Sequence, residues 1–512
     1  MNNLSENNHY IQINEKVSKN KDNVEIFLKN IYSYFYKKGY WNIIVGQIVD
    51  IIGLIFTLIF SIVIFMFLDW GNIIKCSMKK ENCDNIINTE TWRLNGFYLL
   101  FVSIYIAIIS LILIGSFVKF FTNMKKFKQI RKFYRDILKL QDKDLVCTDW
   151  KFIIDKLLEN QLYFNKKNNL NPSTVLNIIM RKENYLIALI ESEILPLKIR
   201  NNVILTKMTE WIIYSSIINT IHDIDINEND FNTKKKLENI LLKRLKLTGI
   251  ICVIISPFLL IFMFVYILLI YGNKYHSNSS DSYRQWNKYS LCKFREYNEL
   301  PHLFEERIVR SIKYSHNYII SFETGSSTKL LKLISFMVSS MLVTLLGLGF
   351  LNEDIMTVHI GNRAIAWYVV FLGIILTIVK LFDFDQYNSK PKDKILFKIK
   401  EFTRFIPKKW EENPKSYDTY QEFTKWFQSI IEIYLIELIS VLISPLILIY
   451  KYKKVAKDVS EFVFQNTFRD QNNGFFVKMS LIENNNLAES KMLAHEKIER
   501  SIIGFNNYYN GI

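Results

Sequence analysis

Four stretches of this chain carry no charge, are bounded by charged residues, and are long enough or nearly so to cross a bilayer. Ile51 to Leu68 gives eighteen such residues, Leu94 to Val118 twenty-five, Leu333 to Asn352 twenty and Ala364 to Val379 sixteen. A helix rising about 1.5 Å per residue needs about 20 apolar residues to pass a hydrocarbon core of roughly 30 Å. With 512 residues, half of them hydrophobic, the chain could still be soluble by composition alone. The clustering of the apolar residues is what argues for an all-α integral membrane protein. Residues 1 to 40 are polar, and the first apolar run is too long for the core of a cleavable signal peptide.

Lysine and arginine set the orientation, because cytosolic flanks hold the excess of them. Residues 119 to 139 contain eight basic residues and one acid, so the second span ends in the cytosol. The loop 69–93 balances four basic against four acidic residues and reads as lumenal. The short loop "EDIMTVHIGNR" has one basic residue, Arg363, while six lysines follow between 380 and 400. Both hairpins then point the same way, with both chain termini cytosolic.

Two further apolar segments contain a Ser-Pro pair: "IISPFLLIF" with Ser256 and Pro257, and "LISPLILIYKYKK" with Ser444 and Pro445. The first lies in an uncharged run, Leu247 to Asn273, with six basic residues before it (234–246) and ten after it (274–332). The second is short and runs into Lys451, Lys453 and Lys454. Two cytosolic flanks favour a re-entrant segment that descends, breaks at the proline and returns. Proline lacks the N–H and clashes with the preceding turn, and broken backbone at depth needs protein or water around it. The other reading is an ordinary Pro-kinked helix.

The signatures of chemistry are absent. No Gly-rich phosphate loop, His-Glu-x-x-His, Gly-x-Ser-x-Gly or Cys-x-x-Cys occurs, and seven histidines are scattered without ligand spacing. No metal, cofactor or nucleic-acid partner is expected, nor an enzyme that drives transport with ATP. The acidic stretch Ile221 to Asn232 lacks the spacing of a calcium loop. Cys76 and Cys83 share the lumenal loop and are disulfide candidates. The formal sequon at Asn278 falls on a cytosolic segment and is expected to stay unglycosylated.

The polar run "KFREYNELPHLFEERIVRSIKY" stands between the first Ser-Pro segment and the third span, where ordinary ion pairing and a functional role are both open. "REYNELPHLFEERI", with "IYSYFYKKGYWNII", "IMRKENYLIALI…ILPLKIR", "LNEDIMTVH" and "ELISVLISPLILIY", resembles the autophagy-related protein 9 family. The likeness runs from about residue 25 to 480. Val441 replaces a second proline common in the last motif, "DQNNGFFVKMS" stands where a Gly-rich patch often follows, and the long carboxy-terminal tail is missing.

The resemblance implies four transmembrane helices, two re-entrant membrane helices and cytosolic helices in a domain-swapped homotrimer. It implies energy-independent scrambling of phospholipids and a bridge-like lipid-transfer protein as partner. It also implies residence on Golgi-derived vesicles, trans-Golgi and endosomal membranes, and preautophagosomal membranes. The chain then divides into 1–40 (partly disordered), the hairpin 41–121, cytosolic helices 122–246 and a re-entrant segment 247–273. Cytosolic helices 274–332, the hairpin 333–380, cytosolic helices 381–429, a re-entrant segment 430–450 and the cytosolic region 451–512 follow. Candidate contacts for a lipid path are Lys274, Arg284, Lys293, Arg295 and Arg307, with Asn298, Glu299 and His302 shaping its cytosolic mouth, because basic side chains can hydrogen-bond a phosphate. An ion channel or solute transporter using the same helices, and a vesicle scaffold that recruits autophagy factors, are the competing functions.

Overall fold

The computed structural model describes residues 21–68, 96–159, 170–195, 198–199, 202–203, 205–223, 231–276, 284–322, 325–351, 354–361, 363–382, 391–470, 473–481 and 492–509. The loop holding Cys76 and Cys83, the sequon at Asn278, and most of the acidic stretch after Ile221 lie outside them.

The described chain is almost entirely helical. Helix α1 (Lys21–Tyr36) turns at Gly39 into α2 (Tyr40–Ile62). Gly39 has φ +103°, and a Cβ there would stand 3.1 Å from the Asp142 side chain, so glycine is needed twice over. Next come α3 (Gly96–Asp136), α4 (Trp150–Glu159), α5 (Pro172–Ile179), α6 (Arg181–Glu191) and α7 (Lys207–Ile213). Asn171 precedes α5 in extended backbone with Pro172 opening the helix, although its side chain makes no cap bond. A π turn, Tyr214–Ile218, and a short helix, Asn219–Asp223, prolong α7. Helix α8 (Phe231–His276) leads to strand β1 (Arg284–Trp286), α9 (Lys288–Phe294), α10 (Pro301–Ile320), α11 (Gly325–Leu351) and α12 (Ile365–Phe382). Then follow α13 (Lys392–Thr403), α14 (Lys408–Glu412), α15 (Tyr417–Trp426), β2 (Phe427–Ser429) and α16 (Ile430–Asn466). The hairpin β3 (Thr467–Asp470) and β4 (Gly474–Val477) and the helix α17 (Met492–Tyr509) complete the chain.

Among the described residues, five helical stretches are long and apolar enough to cross a membrane: Tyr40–Phe67, Tyr98–Asp136, Asn232–Ile267, Lys329–Leu351 and Ile430–Asn466. Ile365–Leu376 is a shorter apolar helix. The remaining helices build a polar body around three apolar clusters. One joins α6 and α7 to the first half of α8 and the second half of α16 through Ile187, Ile213, Leu241, Val459 and their neighbours. A second joins α1, α4, α5 and the end of α3, and a third joins β1, α9, α10 and α13 to α15. Strand β1 pairs antiparallel with β2, tying the segment after α8 to the start of α16.

Helices α8 and α16 run antiparallel along each other. Lys234 approaches Glu461 at 3.9 Å at one level. Further along, a Cβ on Gly249 would come 2.7 Å from Ile449 Cγ1, a separation only glycine permits.

The expected breaks at Ser256–Pro257 and Ser444–Pro445 are not there: each proline sits inside one continuous helix. Proline leaves the carbonyl four residues back without its N–H partner. At Pro257 that carbonyl belongs to Val253, and the Ser256 hydroxyl donates to it at 2.9 Å. The serine thus closes the gap that the proline opens. The second pair is different, since Ser444 Oγ is buried and has no hydrogen-bond partner. Removing the first closure by Ser256→Ala is expected to cost about 1–3 kcal/mol, the penalty for an orphaned buried polar group. A thermal unfolding midpoint in detergent equal to that of the unmodified chain would refute this closure.

Candidate functional site: the charged layer beside the paired helices

Residues 284 to 307 form a layer of charge between β1 and α10. Its backbone turns at Asn298, whose φ of +59° is left-handed, a region asparagine tolerates better than most residues. The Asn298 N–H donates to Asn184 Oδ1 at 3.0 Å, Asn184 Nδ2 donates to Asn298 Oδ1 at 2.7 Å, and Asn298 Nδ2 donates to the Ser480 carbonyl at 2.7 Å. The turn is therefore bolted to α6 and to the segment after β4.

Charges on either side of this turn are spent on the fold. Arg307 donates through Nε and Nη2 to the two oxygens of Glu299 at 2.9 and 2.7 Å. It also donates to the Phe402 carbonyl at 2.6 Å and the Phe294 carbonyl at 2.9 Å. Lys293 pairs with Glu191 at 3.2 Å, and Glu296 pairs with Arg404 of the α13 C-terminus. Arg295 lays its guanidinium over Phe304, with Nε and Nη2 buried and without hydrogen-bond partners. Glu296 is held above the usual carboxylate range, first by burial and then by neighbouring Glu299.

His302 hydrogen-bonds the Tyr32 hydroxyl at 3.0 Å, joining α10 to α1. Burial, helped by Lys38, lowers its pKa from 6.5 to about 4. The unfolded chain therefore takes up this proton first, so stability is complete above about pH 6.5 and falls as pH drops toward 4. The unfolding midpoint is expected to fall between pH 7.5 and 5, and His302→Gln should remove part of that fall. Equal slopes for the two proteins would contradict this assignment.

Arg284 lies in β1 and donates to the Phe427 carbonyl at 3.3 Å. Lys274 lies near the end of α8, where only the backbone is described. Six of the eight candidates thus belong to one polar layer that fastens helices together, and Arg284 and Lys274 stand nearest the α8 end. The exposed Arg310 pairs with Glu306 at 2.5 Å, whereas Glu305 turns instead to the Tyr36 hydroxyl at 2.7 Å.

Helix α17 supplies groups that sequence reading passed over. Lys497 is 1% exposed, and its ammonium faces Glu191 at 3.3 Å and the carbonyls of Cys292 and Lys293 at 3.2 and 3.3 Å. Three acceptors match three protons. A cavity of about 340 Å³ lies between this helix and the layer, lined by Glu296, Arg307, Arg404, Gly504 and Tyr508 among others. Glu437, missed as well, is buried on α16, and both its oxygens accept the Lys207 N–H, at 3.0 and 3.1 Å. Among the described residues, no group of three or more His, Cys, Asp or Glu is placed to hold a metal ion.

A sequence model described as Autophagy protein ATG9 matches residues 16–483. The chain belongs to the autophagy protein 9 family. It is 27% identical over 456 residues to Autophagy-related protein 9 of Dictyostelium discoideum, covering 87% of this chain and 64% of that protein. To the Arabidopsis thaliana protein of the same name it is 27% identical, covering 86% of this chain and 54% of the relative. The chain therefore spans about half to two-thirds of the length of these family members. The cryo-EM structure of Schizosaccharomyces pombe Atg9 superposes with a TM-score of 0.66 at 24% identity, covering 90% of this chain and 99% of that one. That likeness gives the fold. The polar layer, the helix pair and β1–β2 all lie within the matched residues, while α17 follows them.

Proposed function

We propose that this chain is an ATP-independent phospholipid scramblase, re-equilibrating lipids between leaflets as autophagosomal membranes form and expand. Family membership carries the biological setting, and the α8–α16 pair supports the activity. Helix α16 is gripped at its start by β1–β2 and Glu437, and at its end by Val455, Val459 and Val463 in the polar body. Between them, residues 438–450 carry no charge. Helix α8 is gripped in the first cluster at its beginning, and eight residues past its end the chain is back in the polar body at Arg284 of β1, which pairs with β2.

A helix whose two ends both lie at the cytosolic body dips its uncharged middle into the bilayer without crossing it, so the four remaining apolar helices are the spans and both termini are cytosolic. An isolated head-group charge meets a barrier of up to tens of kcal/mol in hydrocarbon. Along this pair the head group finds Arg284, just past the end of α8, on one side and the exposed Lys453 and Lys454 near the other, while the acyl chains remain in lipid. The buried charged layer frames the mouth of that route.

Assembly as a homotrimer exchanging membrane helices fits the α11–α12 hairpin. Only 6% of the apolar window of α11 is buried within its own chain, against 33% for α16. A bridge-like lipid-transfer protein that fills one leaflet would supply the imbalance to be relieved, on Golgi-derived vesicles and preautophagosomal membranes. Nucleotide-free liposomes carrying the purified protein should exchange labelled phospholipid between leaflets without conducting ions. Ion flux without lipid exchange would make it a channel.

A further inference from the structure

We infer that Trp211 on α7 sits in the head-group region of the bilayer, so that this helix of the polar body is also a membrane anchor. This rests on the reading above that the uncharged middle of α16 meets lipid. Helix α7 starts against α16, where the buried Glu437 accepts the Lys207 N–H through both oxygens. From there α7 and its prolongation follow the helix pair, packing Ile212, Ile213, Ile217 and Ile221 into the cluster that holds Leu448 and Val455. Their far end is fixed by Arg244, which donates to Thr220 at 3.0 Å and Asp223 at 2.9 Å. Helix α7 therefore begins at the level where α16 loses its charges.

Trp211 lies one turn along α7 and is 55% exposed. Around this level α16 turns Leu435, Ile439 and Leu442 outward as well. Lys207, and the ion pair of Lys288 with Glu210, keep the start of α7 polar. An apolar ring with one N–H, at the level where the outward row of α16 runs and next in sequence to the charged Glu210, matches the head-group boundary of a bilayer. A lipid surface is the occupant this shared level favours.

The test places an environment-sensitive fluorophore on cysteine in three full-length proteins that lack the native cysteines. These are Trp211→Cys, Leu446→Cys in the outward row of α16, and Phe152→Cys on the exposed face of α4. In liposomes, the label at 211 should emit to the blue of that at 152 and lose most of its emission to a nitroxide on the lipid head group or upper chain. Water-like emission quenched by iodide would overturn the inference, as would shielding from both quenchers, which would mean that another copy covers the site. A label at 446 untouched by lipid-borne nitroxide would overturn the membrane reading of α16 and this inference together. Brominated lipids give a second readout without cysteine changes: the quenched share of tryptophan emission should drop in Trp211→Phe, and an unchanged share counts against the anchor.

Discussion

Arg307→Ala is expected to lose about 3–5 kcal/mol of stability, because it strands the buried carboxylate of Glu299. It also leaves the Phe402 and Phe294 carbonyls without the guanidinium they now accept from. Side-chain exposures of 9% and 8% for this pair mean that water cannot readily replace the lost donors. Arg307→Lys keeps the charge and gives up the fork geometry, so it should fall between the alanine variant and the unmodified protein. The check is thermal unfolding in detergent alongside the yield of folded protein. An alanine variant with an unchanged midpoint would show that the layer does not hold the body together.

The two Ser-Pro pairs are expected to respond differently to the same change. Pro445→Leu supplies an N–H to the Val441 carbonyl and removes the ring clash. If lipid passage needs α16 to open there, one added hydrogen bond of about 1 kcal/mol would have to break each time. That slows exchange several-fold, up to about tenfold for 1.4 kcal/mol. Pro257→Leu adds less, because the Ser256 hydroxyl already serves the carbonyl that the new N–H would reach. Both proteins should insert and assemble normally. Equal exchange rates in the two variants, measured with equal amounts of protein per liposome, would contradict a special role for Pro445.

The apolar helices were legible in the sequence because a bilayer demands a length and a lack of charge, and both can be counted. The helix pair was legible as two unusual segments, but its geometry was not. Proline alone argues for a break, and only side-chain placement reveals that Ser256 repairs the helix while Ser444 does not. The charged run around Asn298 was visible as a cluster, yet its partners Asn184, Phe402 and Ser480 lie about one hundred residues or more away in the chain. Charge clustering tells where polar groups gather and not what they already hold. Lys497 had a weaker signal: it precedes Ile498 and lies four residues before Ser501, on a face that packs inward.

Lipid exchange without an energy source can be measured directly. Liposomes with a fluorescent phospholipid in both leaflets are reconstituted with the purified protein in the absence of nucleotide, and the outer leaflet is reduced chemically. A scramblase brings the inner-leaflet label out, so emission should fall well below half, leaving only the protected label of those vesicles that received no protein. Emission that stops at about half, in vesicles shown to contain folded protein, would contradict lipid scrambling by this chain.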